Sequence, residues 1–282
     1  MTSRADFHTH SNCSDGALTP AALVDLAVSR GVRIMALTDH DSVEGIAEAL
    51  QAASRYPNFT LIPGVEMSTD IPGSEVHVLG YFVDPKDGPL QQELARLRNS
   101  RRDRGRRMVE RLHELGMDIR WERVQAIAGD GAVGRPHVAQ ALLEKGHIGS
   151  VQEAFDRYIG RNGPAYVERT KITPVETVAL LHRRRALPVL AHPGEMEDLE
   201  GLLPSLKEAG LVGMEVYYQD YDEVSIQRLL AVARSHHLMV TGGSDYHGLG
   251  GERERLPGDI PLPEEAIDDF MAQAERYIAH RA

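Results

Sequence analysis

Short apolar runs alternate with amphipathic stretches along much of this chain, and that alternation predicts parallel α/β architecture. Seven runs read as strands: one around Asp6–His10, then Val32–Thr38, Phe59–Glu66, Glu75–Val83, Pro188–Ala191, Val212–Tyr217 and Leu238–Thr241. Thr19-Pro20 reads as an N-cap followed by proline in the first helical position, with Leu23, Leu26 and Ala27 as the apolar face and Gly31 as the stop. Asp41 with Glu44 reads as a capping box for a helix running to Tyr56, and Thr173 with Glu176 as another. The alternation breaks at Asp84-Pro85-Lys86-Asp87-Gly88-Pro89, and the stretch from there to about Arg169 reads as mostly helical. The expected organisation is therefore an α/β barrel domain over residues 1–88 and 170–282, interrupted by a helical insertion over 89–169 that is placed to act as a substrate lid.

Inside the insertion, Leu94, Leu97, Arg101, Arg104, Met108, Leu112 and Leu115 share one helix face by their 3–4 spacing. Arg101 and Arg104 thus interrupt an apolar stripe and are turned inward, with Gly105 leaving room for a ligand. The neighbouring arginines read as a solvated basic face. His113, His236 and His237 read as surface or capping residues, Trp121 as core of the insertion, and His137 as either a site residue or a helix start.

Composition narrows the class. A chain of 282 residues with 42% hydrophobic and 26% charged residues is ordinary for a globular protein. A formal charge of −11 argues against nucleic-acid binding over the whole surface, while leaving local basic patches. The single cysteine, Cys13, cannot form an intrachain disulfide, which fits a reducing cytoplasm. No apolar stretch reaches membrane-spanning length, and the first strand begins too early to leave room for a signal peptide.

The candidate chemistry begins with His8-Thr9-His10, since residues i and i+2 of a strand point to one face and can aim two imidazoles at one point. Similar residues follow later apolar runs: Thr38-Asp39-His40, Gly64-Val65-Glu66, His77, Ala191-His192-Pro193 and Ser244-Asp245-Tyr246-His247. In a parallel barrel, strand carboxyl ends form the active site, so this repetition points to a centre holding several metal ions.

These motifs, together with Ser14-Asp15-Gly16 and Pro63-Gly64-Val65-Glu66, resemble the PHP family, the polymerase and histidinol phosphatase metal-dependent phosphoesterases. The resemblance spans residues 6 to 247 and implies a distorted seven-stranded (β/α)7 barrel. It implies a first metal position of His8, His10, Glu66 and Asp245, a second of Glu66, His77 and His192, and a third of Asp15, His40 and His247. Many family members have histidine where this chain has Asp15, and an oxygen ligand there favours manganese or magnesium over zinc. The expected cofactor is two or three Mn2+ ions, with Mg2+ or Zn2+ as alternatives.

The implied reaction is hydrolysis of a phosphomonoester by a metal-bridging hydroxide, because cations lower the pKa of bound water and neutralise phosphoryl charge. His8, His10, Glu66, His192 and Asp245 form the expected catalytic set. Asp39 is the candidate general acid; its plainer reading is a carboxylate that orients a histidine. Within the family the narrower likeness, carried by the insertion and by Gly134-Arg135-Pro136-His137, is to nucleoside 3′,5′-bisphosphate phosphatases and relatives that trim RNA 5′ ends. Arg101, Arg104, Arg135 and, at the return to the barrel, Lys171 are the candidate contacts for a second, unreacting phosphate, since a guanidinium fork suits phosphate. The expected partners are a small phosphorylated nucleotide or short RNA. Alternatives are a 5′-3′ exonuclease on short RNA, a histidinol phosphate phosphatase, a barrel amidohydrolase and a non-catalytic metal-holding module. The amidohydrolase reading is weakened by Glu66 standing where many such enzymes bridge with a modified lysine. The module reading is weakened by nine candidate ligands, which leave two or three ions open to water and phosphate.

Overall fold

The computed structural model describes residues 2–71, 74–129, 131–168, 172–196, 198–250 and 254–279. Its seven strands form one sheet in sequence order: β1 (Ala5–Asp6), β2 (Ile34–Leu37), β3 (Thr60–Ile71), β4 (Ser74–Tyr81), β5 (Leu187–Leu190), β6 (Gly213–Tyr218) and β7 (Met239–Gly243). The sheet curls into a nearly closed barrel. Beyond β1 the chain bonds to the end of β7: Phe7 N–H donates to the Gly242 carbonyl at 3.1 Å, Asp245 N–H to that of His8 at 2.9 Å, and His10 N–H to that of Tyr246 at 2.9 Å.

The direction of β4 departs from the parallel pattern. It pairs antiparallel with both β3 and β5, whereas the other neighbours run parallel. This reversal has a functional consequence. His77 lies early in β4 yet pairs with Ser68 late in β3, so an early residue reaches the carboxyl end of the barrel. β3 also runs to Ile71, past the expected end at Glu66, because its polar residues Ser68, Thr69 and Asp70 are buried against other groups.

Helices α1 (Pro20–Ser29) and α2 (Ile46–Ala53) connect the first strands. Thr19 caps α1 as expected, accepting the Ala22 N–H at 3.2 Å. The expected cap at Asp41 is overturned: α2 starts at Ile46, Gly45 is its N-cap, and no side chain caps it. Asp41 adopts a left-handed φ of 51° and turns its carboxylate to other partners described below. After β4 come α3 (Gly88–Glu114), α4 (Trp121–Ala128), α5 (Arg135–Glu144) and α6 (Val151–Ala154), which continues into a π-helical turn at Phe155–Ile159. Then α7 (Pro174–Arg183) starts from the Thr173–Glu176 capping box, and α8 (Leu199–Ala209), α9 (Glu223–Ser235) and α10 (Glu264–Ala279) complete the chain.

Packing explains how the helical segment between β4 and β5 is held. Leu90, Leu94 and Leu97 in the first half of α3 join the barrel's outer core with Val78, Val178 and Leu181. Its second half, from Met108 to Leu112, joins a separate core with Val124, Val138, Leu142 and Ile159. One helix therefore packs into both cores, and burial of these side chains contributes about 1.5–3 kcal/mol each. Leu115, read as part of the stripe, is instead 45% exposed at the helix end. The other face of the sheet is filled by Phe7, Tyr81 and Phe270, with the Phe7 and Phe270 rings edge-to-face at 4.7 Å.

Candidate metal centre

The loop after β1 is extended because hydrogen bonds tie it on both sides. Thr9 Oγ1 donates to the Ala36 carbonyl at 2.7 Å, Thr38 N–H donates to the Thr9 carbonyl at 2.9 Å, and Thr9 pairs in parallel with Tyr246. Extended backbone keeps His8 and His10 on one face, both fully buried. A Cβ on Gly243 would lie 2.5 Å from the His8 nitrogen, so only glycine lets β7 approach this closely. Three residues of the centre, Asp41, His192 and Asp245, hold positive φ without being glycine. Such strained backbone re-aims side chains and persists only where the surroundings fix it.

Glu66, on β3, is the hub. Its Oε2 lies 3.2 Å from His8 Nε2, 3.3 Å from His10 Nε2 and 3.0 Å from His40 Nδ1. Its Oε1 lies 2.7 Å from His77 Nδ1 and 3.1 Å from His192 Nε2. Asp245 Oδ1 approaches His10 Nε2 at 3.0 Å and His8 Nε2 at 3.3 Å. On the far side, His247 Nε2 stands 3.2 Å from Asp15 Oδ1, and His40 Nε2 stands 3.9 Å from Asp15 Oδ2. Three overlapping groups result, each with ligand atoms within 4.8 Å of one another: His8, His10, Glu66 and Asp245; His40, Glu66 and His77; and His10, Asp15, His40 and His247. All nine residues expected as ligands thus converge. His40 lies between two groups, and His192 touches Glu66 without completing a set of its own.

Six of the convergent atoms have no ordinary partner. Among the described residues, His8 Nε2, His10 Nε2, His40 Nδ1, Asp15 Oδ1, Glu66 Oε2 and Asp245 Oδ1 are buried without a hydrogen bond of proper geometry. Buried polar atoms left this way destabilise a fold, and six of them aimed at common points fit divalent cations. Imidazole and carboxylate donors without thiolate suit borderline or hard ions. Electrostatics agree. Burial opposes ionisation of Glu66, yet His40, His8 and His77 around it hold its carboxyl well below the usual range. Burial likewise opposes charging of His247, yet Asp15 and Asp245 push it up to about 10. Burial itself pushes His40 down to about 3.

An outer layer orients the inner one, and the sequence reading did not identify it. Glu215, buried in β6, faces His8 Nδ1 at 3.2 Å and accepts the His192 N–H at 2.9 Å. Its signal was a lone acid in an apolar strand, a type seldom buried without a partner. Tyr218 donates its hydroxyl to Asp245 Oδ2 at 2.8 Å. Asp39, the candidate acid, turns toward the ligand-bearing loop instead, accepting Ser11 N–H, Ser11 Oγ and Ser14 Oγ, each at 2.7 Å.

The structure also gathers three of the four expected phosphate contacts. Arg101, Arg104 and Arg135 line a cavity of about 150 Å³ together with Asp15, His40, His77 and His247. Arg101 Nε donates to Asp41 Oδ2 at 2.6 Å and its other end meets Ser68. Arg104 donates to the Val167 carbonyl at 2.8 Å and reaches Glu75, which also pairs with Arg135. Lys171 lies outside the described residues. His137 begins α5: its Nδ1 accepts the Gly134 N–H at 2.9 Å.

A nearly closed seven-stranded barrel carrying such a cluster of imidazole and carboxylate groups has the architecture of a metal-dependent hydrolase. The chain belongs to the PHP family, whose PHP domain matches residues 6–161. It is 35% identical over 247 residues to the 5′-3′ exoribonuclease Rnm of Escherichia coli, covering 86% of this chain and 84% of that one. It is 32% identical over 273 residues to the 3′,5′-nucleoside bisphosphate phosphatase of Chromobacterium violaceum, covering 91% and 92%. A crystal structure from Bifidobacterium adolescentis, of a protein assigned as a metal-dependent phosphoesterase, superposes with a TM-score of 0.87 at 30% identity, over 95% of this chain and 96% of the other. The protein is accordingly a metal-dependent hydrolase of phosphate esters.

Proposed function

We propose that the protein removes the 3′-phosphate of nucleoside 3′,5′-bisphosphates, giving the nucleoside 5′-monophosphate and phosphate. The observation that carries this reading is one cavity with two chemistries: Arg101, Arg104 and Arg135 on one side, and Asp15, His40, His77 and His247 on the other. A substrate with two phosphates satisfies both sides at once, one phosphate at the cation cluster and one in the arginine forks. The names of two relatives, a 3′,5′-nucleoside bisphosphate phosphatase and a 5′-3′ exoribonuclease, support a nucleotide ester.

Divalent cations held by the nine ligands, Mn2+ in first place, would acidify water toward neutrality and neutralise phosphoryl charge. The chain's own groups do the rest. Glu66 links the first and second ligand groups through its two oxygens. Glu215 and Tyr218 fix the orientation of His8 and Asp245. Asp39 acts as a positioning residue, bracing Ser11 and Ser14 so that Asp15 stays in place. Arg101, Arg104 and Arg135 hold the 5′-phosphate, which sets the distance to the ester that reacts. The one free thiol, Cys13, supports a cytoplasmic setting.

A second reading, exonucleolytic attack on the 5′ end of short RNA, is favoured by the same arginines and by the exoribonuclease relative. Phosphate release with manganese from adenosine 3′,5′-bisphosphate, AMP and histidinol phosphate tests the assignment. The bisphosphate is expected to have the highest kcat/KM. Faster turnover of histidinol phosphate would refute it.

A further inference from the structure

The catalytic cavity uses only part of α3. Between residues 88 and 114 that helix carries eight arginines (96, 98, 101, 102, 104, 106, 107 and 111) against four acids (93, 103, 110 and 114) in a chain of net charge −11. Arg101 and Arg104 face the cavity with the metal ligands. Arg98 and Arg102, four apart and so neighbours on the helix surface, face a different cleft of about 360 Å³, lined also by Glu44, Asn99, Gln125 and Gly131.

This cleft is polar, and its groups are available. Arg98 is fixed in place by the Asp41 carbonyl at 2.9 Å and by Glu44 at 3.1 Å, so the Glu44 carboxylate is compensated. The side chains of Arg102, Asn99 and Gln125 have no hydrogen bond or ion pair among the described residues. A free guanidinium offers donors to a phosphate, and two free amides each offer a donor and an acceptor to a base edge.

The cleft is also built onto the catalytic centre. Ala132 N–H donates to the Cys13 carbonyl at 3.3 Å. A Cβ on Gly131 would lie 2.5 Å from the Asn12 carbonyl oxygen and 2.8 Å from that of Ser14, so its wall presses on the loop that ends in Asp15. Glu44, also in its lining, comes four residues after His40 in the chain.

We propose that this cleft binds the nucleotide following the scissile bond in a 5′-phosphorylated single-stranded RNA, Arg102 taking the phosphodiester on its 3′ side and Asn99 and Gln125 its base. The inference rests on the assignment of the arginine cavity to the 5′-phosphate. The chemistry is the same for both substrates. Water oxygen bonds to phosphorus, the P–O3′ bond breaks, and O3′ takes up a proton. From a bisphosphate the phosphorus leaves as inorganic phosphate. From RNA it stays on the shortened strand as a new 5′-phosphate, so the product is again a substrate.

Fluorescence anisotropy of a 5′-phosphorylated, 3′-labelled pentaribonucleotide on the full chain with metal chelated tests the cleft directly. Arg102→Ala is expected to weaken binding about tenfold and to reduce the log–log salt slope by about 0.7, the value of one lost contact to a single strand. With manganese, the ratio of kcat/KM for the pentanucleotide to that for adenosine 3′,5′-bisphosphate is expected to fall by about the same factor. Gln125→Ala lowers the same ratio. If both variants bind the strand like the parent chain, with an unchanged ratio, the cleft does not hold RNA, and the bisphosphate assignment stands. If the parent chain hydrolyses neither substrate, that assignment falls, and the chelated binding series alone decides the cleft, loss on Arg102→Ala supporting it and wild-type binding overturning it.

Discussion

His8 turns its Nδ1 toward the Glu215 carboxylate at 3.2 Å, and the other oxygen of that carboxylate accepts the backbone N–H of His192 at 2.9 Å. One buried acid on β6 thus sets the tautomer of one ligand and the position of another. The contact leaves Nε2 of His8 as the atom that meets Glu66 and Asp245. Carboxylates behind a coordinating imidazole contribute about 10–100-fold in metal affinity or activity. Glu215→Gln, nearly isosteric, is therefore expected to weaken Mn2+ binding by that factor with the fold retained. Calorimetric titration with circular dichroism on the same samples checks it, and an unchanged affinity removes Glu215 from the site's working parts.

Arg135 is held in place by two contacts: its guanidinium meets Glu75 and lies 5.4 Å from the Phe155 ring centroid. That geometry presents the fork to a ligand with little further ordering. Hydrogen bonds to charged groups are worth about 1.5–3 kcal/mol, so Arg135→Ala should raise KM for adenosine 3′,5′-bisphosphate about 10–100-fold. Turnover of p-nitrophenyl phosphate, which has no second phosphate, should change much less. Steady-state kinetics on both esters decide the matter, and equal losses on the two would place Arg135 in the reaction itself.

His137 ties the stability of the fold around α5 to pH. It is 7% exposed, and burial holds its imidazole below the ordinary 6.5. Its Nδ1 accepts the Gly134 N–H, which needs the neutral ring. The unfolded chain takes up the proton near 6.5 and the folded chain only at lower pH. The stabilisation is therefore complete above 6.5 and drains away as pH falls from there toward the folded value. Thermal melts from pH 7.5 to 5 should show His137→Gln losing less stability on acidification than the parent. Parallel curves would show that His137 does not titrate in that window.

Much of the fold was legible because strand number follows from local hydrophobic runs, while the order of the strands around the sheet came with the barrel that the family resemblance implied. The direction of β4 was not, since alternation is the same whichever way a strand runs. The length of β3 was hidden for a related reason: Ser68, Thr69 and Asp70 look like a loop, yet they are buried against distant partners, Ser68 against Arg101, Thr69 on the Val76 carbonyl and Asp70 facing Arg161 at 3.2 Å. Asp41 looked like a helix cap because the spacing to Glu44 satisfies the pattern. Its carboxylate instead accepts the Ser68 N–H at 3.0 Å and bonds to Arg101, contacts at long sequence separation that no local pattern contains. The ligands were readable because histidines and acids after apolar runs are few, whereas Glu215 and Tyr218 needed the three-dimensional neighbours to acquire a role.

Metal binding should release protons, and His247 indicates why. Burial opposes its charge, but Asp15 and Asp245 push it up to about 10, so the metal-free centre keeps that imidazole protonated at pH 7. A coordinating nitrogen must be free of its proton, and His247 Nδ1 is already committed to the Asp245 carbonyl at 2.9 Å, leaving Nε2 as the ligand atom. Affinity should therefore fall as pH drops below about 10 and become indifferent to this group above it. Titration of the protein, freed of metal and chelator, with Mn2+ at pH 7 in PIPES and in Tris should give enthalpies that differ in proportion to the buffers' ionisation heats. Asp15→Asn removes the largest upward push and should shrink that difference. The same titrations predict a melting temperature that climbs with metal, by the equivalent of about 2.7 kcal/mol when the free ion is a hundred times its Kd. Buffer-independent enthalpies would mean that His247 is neutral before the ion arrives, and the balance of charge assigned to Asp15 and Asp245 would then be wrong.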